Sequence, residues 1–308
     1  MYNTQKSLQY AQITTYGGKM SDICKNWSTW LKKTRFSYMN EIQLKQTLNW
    51  LILIRDEVLK MADIKSNYKI ADFGCGTGLL GFGVLEKYHD DVELIFSDKF
   101  QDCLDECQKI IQQSGIFYNN VKFLQSDVAD IKLPNNYLNV AMTRSVLVHV
   151  LEKEPAFAEF ERVLVEGGCY CAFEPIISEN TRYYELLSEN EISDYQEFKK
   201  AEKEFMERND DPLVNFNAKS LEENLKNVGF SDVNLNIQMA NSKYVPEKAN
   251  IINWFVSPPA PNQKSMKERY LEYFDEKKVD NFISEVENAL GGKEIEVSAK
   301  TALIKAIK

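Results

Sequence analysis

Three glycines on alternate positions, Gly74, Gly76 and Gly78, follow a short apolar run, and Asp72 precedes the first of them by two residues. Alternate glycines let a backbone turn tightly and let a ligand lie against main chain with no Cβ in the way. The N–H groups that open a following helix then face that ligand. Two kinds of ligand suit such a loop. Gly76-x-Gly78-x-x-Gly81 satisfies the dinucleotide fingerprint, so a nicotinamide-dependent oxidoreductase is one reading. Three acids point elsewhere. Asp72 lies inside the strand, where a pyrophosphate has no use for a carboxylate and a cationic amino-acid group does. Asp98 ends the second apolar run and suits ribose hydroxyls for either ligand. Asp127, in Ser126-Asp127-Val128, ends the third and suits the exocyclic amine of adenine, an acid that a dinucleotide site does not need.

These residues need a scaffold, and hydrophobic spacing supplies one. Leu44, Leu48, Leu51, Ile54, Val58 and Met61 fall three or four apart, which predicts a helix over 41–63. Strands are expected at 69–73, 92–97, 121–125, 137–143 and 169–173, with helices at 79–88, 100–113 and 155–165 between them. Pro155 suits a first helical turn, and Gly167 and Gly168 read as the stop of the last of these helices. Strands alternating with helices at this spacing predict a parallel sheet covered on both faces. A further helix is expected at 218–228, an alternating half-exposed strand at 233–239 and a final strand at 294–307. The alternation is interrupted twice, at about 176–216 and 245–293, by charged stretches with helical spacing and several aromatics.

The ordered series Asp72-x-Gly74-x-Gly76-x-Gly78, Asp98, Asp127 and Arg162-Val-Leu-Val-Glu-Gly167-Gly168 resembles the motif series of class I S-adenosylmethionine-dependent methyltransferases. The resemblance covers roughly residues 66–175, and the last two strands resemble that family's closing antiparallel hairpin. It implies an α/β, Rossmann-like, mostly parallel seven-stranded sheet with a closing antiparallel strand and helical cap insertions. The methyltransferase core is expected over 67–308, and the aromatic-rich stretch before it reads as an N-terminal helical lid segment over 1–66. By the same resemblance, Asp72, Gly74, Cys75 and Gly76 would hold the methionine end of S-adenosylmethionine, Asp98 the ribose and Asp127 the adenine. Lys99 and Val128 would flank the adenosine, and Thr143 and Arg144 would face the methionine and the reacting methyl; apart from the resemblance, Tyr16, followed by Gly17 and Gly18, is a candidate to close over the cofactor from the N-terminal segment. The series is specific for the superfamily and weak on the acceptor.

Beyond the cofactor, His149 in Ser145-Val-Leu-Val-His149-Val150 is placed to take a proton from a nucleophile, though it also reads as a packing residue. Glu174, at the end of the fifth strand, is a candidate to orient an amine or hydroxyl. Tyr183, Tyr184 and Trp254, in the two insertions, are candidates for the acceptor pocket, with core packing as the alternative for each. The expected reaction is methyl transfer to an O, N or C atom of a small molecule under a helical lid. The competing readings are a protein that binds S-adenosylmethionine for another purpose, and the nicotinamide-dependent oxidoreductase. A formal charge of −9 disfavours a nucleic-acid partner. No apolar run is long enough for a membrane span and the N-terminus has no signal-peptide pattern, so a cytoplasmic monomer or homodimer is expected. Six cysteines without metal spacing, and only two histidines, predict no metal site.

Overall fold

A computed structural model describes residues 31, 39, 41–115, 117–261 and 263–308. Seven strands form one sheet: β1 (Lys69–Phe73), β2 (Glu93–Asp98), β3 (Val121–Gln125), β4 (Leu138–Arg144), β5 (Leu164–Pro175), β6 (Asp232–Tyr244) and β7 (Ile295–Ile307). Their order is β3-β2-β1-β4-β5-β7-β6. The first five are mutually parallel, and β7 runs antiparallel to both β5 and β6. The strand order reverses between β1 and β4, which opens a crevice at the carboxyl ends of those strands. Asp72, Asp98 and Arg144 all lie at that edge.

Burial on both faces explains why the central strands read as near-continuous apolar runs. On one face, Val58, Leu59 and Ala62 of α1 (Glu41–Ala62) and Leu80, Val84 and Leu85 of α2 (Leu79–Tyr88) pack with Ile70, Leu94 and Val140. Leu104 and Cys107 of α3 (Gln101–Ser114) complete that layer. On the other, Phe157 and Phe160 of α4 (Lys153–Val163) and Leu221 and Leu225 of α6 (Ala218–Asn227) cover Ala71, Phe73 and Tyr170. Phe160 stacks on Tyr170 with ring centroids 4.8 Å apart. Asn217 caps α6, its side chain accepting from the Ser220 N–H at 2.9 Å.

Three boundaries differ from those expected. α4 stops at Val163, before Gly167 and Gly168, because Leu164 already pairs with Leu138 in the sheet. The register then shifts so that Val140 meets Cys169, and the two glycines fall within the irregular start of β5. β6 runs on to Tyr244, well past 239, because β7 supplies a partner for every residue of it. The half-buried alternation holds only at Val233 and Leu235; Ile237 and Met239 lie beyond the helices that cover the sheet, and Met239 is 57% exposed.

The two interrupting stretches form one cap. The first carries α5 (Tyr195–Met206); the second carries α7 (Lys248–Val256), α8 (Met266–Tyr270) and α9 (Glu276–Leu290). Phe198 and Phe205 of the first share a buried cluster with Phe255, Tyr270, Val279 and Phe282 of the second. Phe198 stacks on Phe282 at 3.9 Å, which gives the cap a core of its own, separate from those of the sheet. Buried Glu202 accepts the Tyr183 N–H at 3.0 Å and the Tyr270 hydroxyl at 3.0 Å, and so satisfies polar groups inside that core.

Candidate functional site

The loop after β1 is shaped by what crowds it. Gly74 has φ +63°, and a Cβ there would stand 2.5 Å from Val146 Cγ2, so both conformation and space demand glycine. Gly81, the third glycine of the dinucleotide-like spacing, packs its α-carbon where a Cβ would meet the Phe96 ring at 2.2 Å; it seats α2 on β2. Asp72, 2% exposed, accepts the Gly81 N–H at 2.8 Å. Asp98 accepts the Gly76 N–H at 2.9 Å and the Phe100 N–H at 2.9 Å, which ties the glycine loop to the end of β2.

The electrostatics of the three acids follow their depth. Burial pushes the Asp72 carboxyl up to about 7; the Gly81 N–H and Arg144 pull it down, and Asp98 adds to the rise. Asp98 is also held above its ordinary value by burial, partly offset by the N–H groups of Phe100 and Gly76. For Asp127 burial acts upward as well, but Lys99 Nζ at 2.8 Å and the Ala129 N–H at 3.0 Å outweigh it, and the carboxyl lies below its ordinary value. Asp72, a buried carboxyl with a raised pKa, is poised to receive a cationic group, which would favour its ionised form.

A cavity of about 710 Å³ opens over this edge. Asp72, Gly74, Cys75, Gly76, Asp98, Lys99, Asp127, Val128 and Arg144 line it, and so does His149. Apolar side chains also line it: Val148, Val150 and Leu151 from the segment after β4, with Ile177, Leu213 and Pro259 from the cap. The glycine loop and the three carboxylates, at graded depth, thus share one cavity.

Other candidate residues lie elsewhere. Thr143 is fully buried, its hydroxyl 2.8 Å from the Tyr170 hydroxyl and 3.2 Å from Glu174 Oε1. Glu174 is fully buried too, and turns inward: Oε1 accepts the Val146 N–H at 3.0 Å and Oε2 the Leu147 N–H at 3.1 Å. Burial pushes it up to about 7, against the pull of those two N–H groups, Thr143 and Arg144. It fixes the turn that presses Val146 against Gly74. Tyr183 stacks on Trp254 at 6.1 Å and packs tilted against Phe255 at 4.7 Å, within the cap. Tyr184 lies beneath Lys199 and Lys203. None of Thr143, Glu174, Tyr183, Tyr184 and Trp254 lines the cavity. Tyr16 lies outside the described residues. The sequence pattern does not single out the apolar wall; Val148 and Val150, apolar residues outside any strand, are the signal that could have found it.

A methyltransferase-domain family profile matches residues 70–168, the span from β1 to the start of β5. An uncharacterised methyltransferase of Schizosaccharomyces pombe is 29% identical over 115 residues, 36% of this chain and 41% of that one. The ubiquinone/menaquinone biosynthesis C-methyltransferase of Coxiella burnetii is 23% identical over 168 residues, 54% of this chain and 65% of that one. The chain thus spans about half the length of these curated relatives. Among solved structures, the YcgJ protein of Bacillus subtilis superposes with a TM-score of 0.53 at 16% identity, over 83% of this chain and 98% of that one, a likeness of fold.

Proposed function

We propose that this chain, which belongs to the class I S-adenosylmethionine-dependent methyltransferase superfamily, transfers a methyl group to an O, N or C atom of a small, largely apolar acceptor enclosed by the cap. One observation carries the reading: a single cavity joins the three acids and glycine loop to an apolar wall drawn partly from the cap. When bound, the cofactor supplies an activated methyl on a sulfonium, so the protein's part is alignment and exclusion of water. Asp72 and the 74–76 backbone would hold the amino-acid end, Asp98 the ribose, and Asp127 with Lys99 and Val128 the adenosine. Ile177, Leu213 and Pro259 would cover the acceptor. His149 would take a proton where the acceptor is a hydroxyl or an acidic carbon.

The C-methyltransferase of ubiquinone/menaquinone biosynthesis among the relatives supports a small-molecule acceptor. No described helix is long and apolar enough to cross a membrane, and the net charge of −9 favours a metabolite over nucleic acid. The reading includes a cytoplasmic monomer or homodimer and a covering role for the N-terminal 1–66 segment. The test is incubation with methyl-labelled S-adenosylmethionine and fractionated extract, followed by mass spectrometry. A labelled small molecule is expected; label found only on nucleic acid or protein, or nowhere, would overturn the proposal.

A further inference from the structure

The segment between β4 and α4 contributes five consecutive residues to the cavity, Val148 to Glu152, with His149 among them. Its own backbone holds it only lightly, through one short turn in which the N–H of His149 meets Val146 O at 2.9 Å and that of Val150 meets Leu147 O at 3.1 Å. The carbonyls on either side of His149 are gripped from outside the segment. Val148 O accepts from Gln263 Nε2 at 3.0 Å, and Leu151 O accepts from Asn215 Nδ2 at 2.8 Å. Val150 O accepts from Lys153 Nζ at 2.6 Å, and the same ammonium also donates to Pro212 O at 3.0 Å and to Asn215 Oδ1.

Asn215 and Gln263 belong to different insertions. Those insertions are joined close by, where buried Arg269 pairs with Asp211. A loop whose carbonyls are satisfied by a neighbouring layer takes its position from that layer. We infer that the cap positions His149: Asn215 and Gln263 from the cap, with Lys153 of α4 held against Asn215, are positioning residues that set the acceptor wall, independently of the three acids. This inference rests on the reading that this wall faces the acceptor. It gives the cap a second task beyond covering the cavity.

The chain has two histidines, His89 and His149, so imidazole resonances of histidine-labelled protein report this directly. Gln263→Ala and Asn215→Ala are expected to shift and broaden the His149 signals and leave those of His89 in place. S-adenosylhomocysteine affinity should stay within about twofold, while kcat falls roughly 10-fold and KM for S-adenosylmethionine is unchanged. Asn215→Asp, which keeps the acceptor facing Lys153 and loses the donor to Leu151, replaces the alanine variant if that fails to fold. His149 signals that superimpose on wild type in both positions' variants would overturn the inference. Absence of methyl transfer in wild type and variants alike would instead count against the proposed activity, with the resonances still deciding this point.

Discussion

The two ends of the cavity are built on different principles. At the core end, glycines and carboxylates are fixed by backbone geometry: Gly74 has no room for a Cβ, and Asp98 holds the loop by its main-chain N–H groups. At the cap end the walls are aliphatic and proline side chains, and the aromatics of the cap are turned into a core of their own. The difference suits the two binding tasks of the proposed reaction. A charged ligand of constant structure calls for fixed donors and acceptors, whereas an apolar acceptor calls for shape and dryness.

If that contrast holds, substitutions at the core end should act on the cofactor and those at the cap end on the acceptor alone. Asp72→Asn is expected to have the largest effect, weakening S-adenosylhomocysteine affinity roughly 10- to 100-fold through loss of a charge-assisted contact. The same change should stabilise the ligand-free protein at pH 8. A carboxyl raised from 3.8 to about 7 has stability that is present below the lower value and lost as pH rises through the upper. Removing that buried charge should return on the order of 2–4 kcal/mol, read as a higher unfolding midpoint. Wild-type affinity should in turn weaken as pH falls below about 7, by at most about tenfold per pH unit for one proton, because protonation removes the charge that the ligand meets. Calorimetric titrations at several pH values check both.

Gly74→Ala comes next. With φ at +63° and Val146 Cγ2 2.5 Å from the new methyl, it should destabilise by roughly 2–3 kcal/mol and weaken the cofactor about tenfold. Leu213→Ala tests the other end: KM for the acceptor should rise about 5- to 20-fold, with S-adenosylhomocysteine affinity unchanged in the same preparation. Tyr183→Phe should do least. Its hydroxyl makes a long contact, 3.5 Å to Trp254 O, and its ring faces the cap core, so stability should change by less than about 1 kcal/mol and neither KM should move. An acceptor KM altered by Tyr183→Phe would blur the contrast between the two ends.

The same contrast governs what the amino-acid sequence disclosed. The succession of strands, the glycine loop and the three acids were legible because each residue type is dictated by local backbone and chemistry, and the strands carry their periodicity openly. The cap was legible as two insertions, but its inner wall was not. Leu213 and Pro259 look like any aliphatic residue and any proline in a loop, and only the tertiary packing of the two insertions turns them toward the cavity. Tyr183 and Trp254 drew attention as aromatics in a cap, yet aromatic rings bury more area against each other than against a cavity, and here they found each other. Glu174 read as a strand-end acid facing an acceptor. The two orphan N–H groups of Val146 and Leu147, which its position in sequence does not reveal, turn it inward.

The central claim is that Asp72, Asp98 and the glycine loop form a site for S-adenosylmethionine rather than for a dinucleotide. Parallel calorimetric titrations of the purified chain with S-adenosylhomocysteine and with NADH test it most directly. The account predicts saturable binding of S-adenosylhomocysteine that weakens at least about tenfold in Asp72→Asn, and no heat from NADH. Saturable NADH binding with none of S-adenosylhomocysteine, or an Asp72→Asn protein that binds S-adenosylhomocysteine as the wild type does, would contradict it.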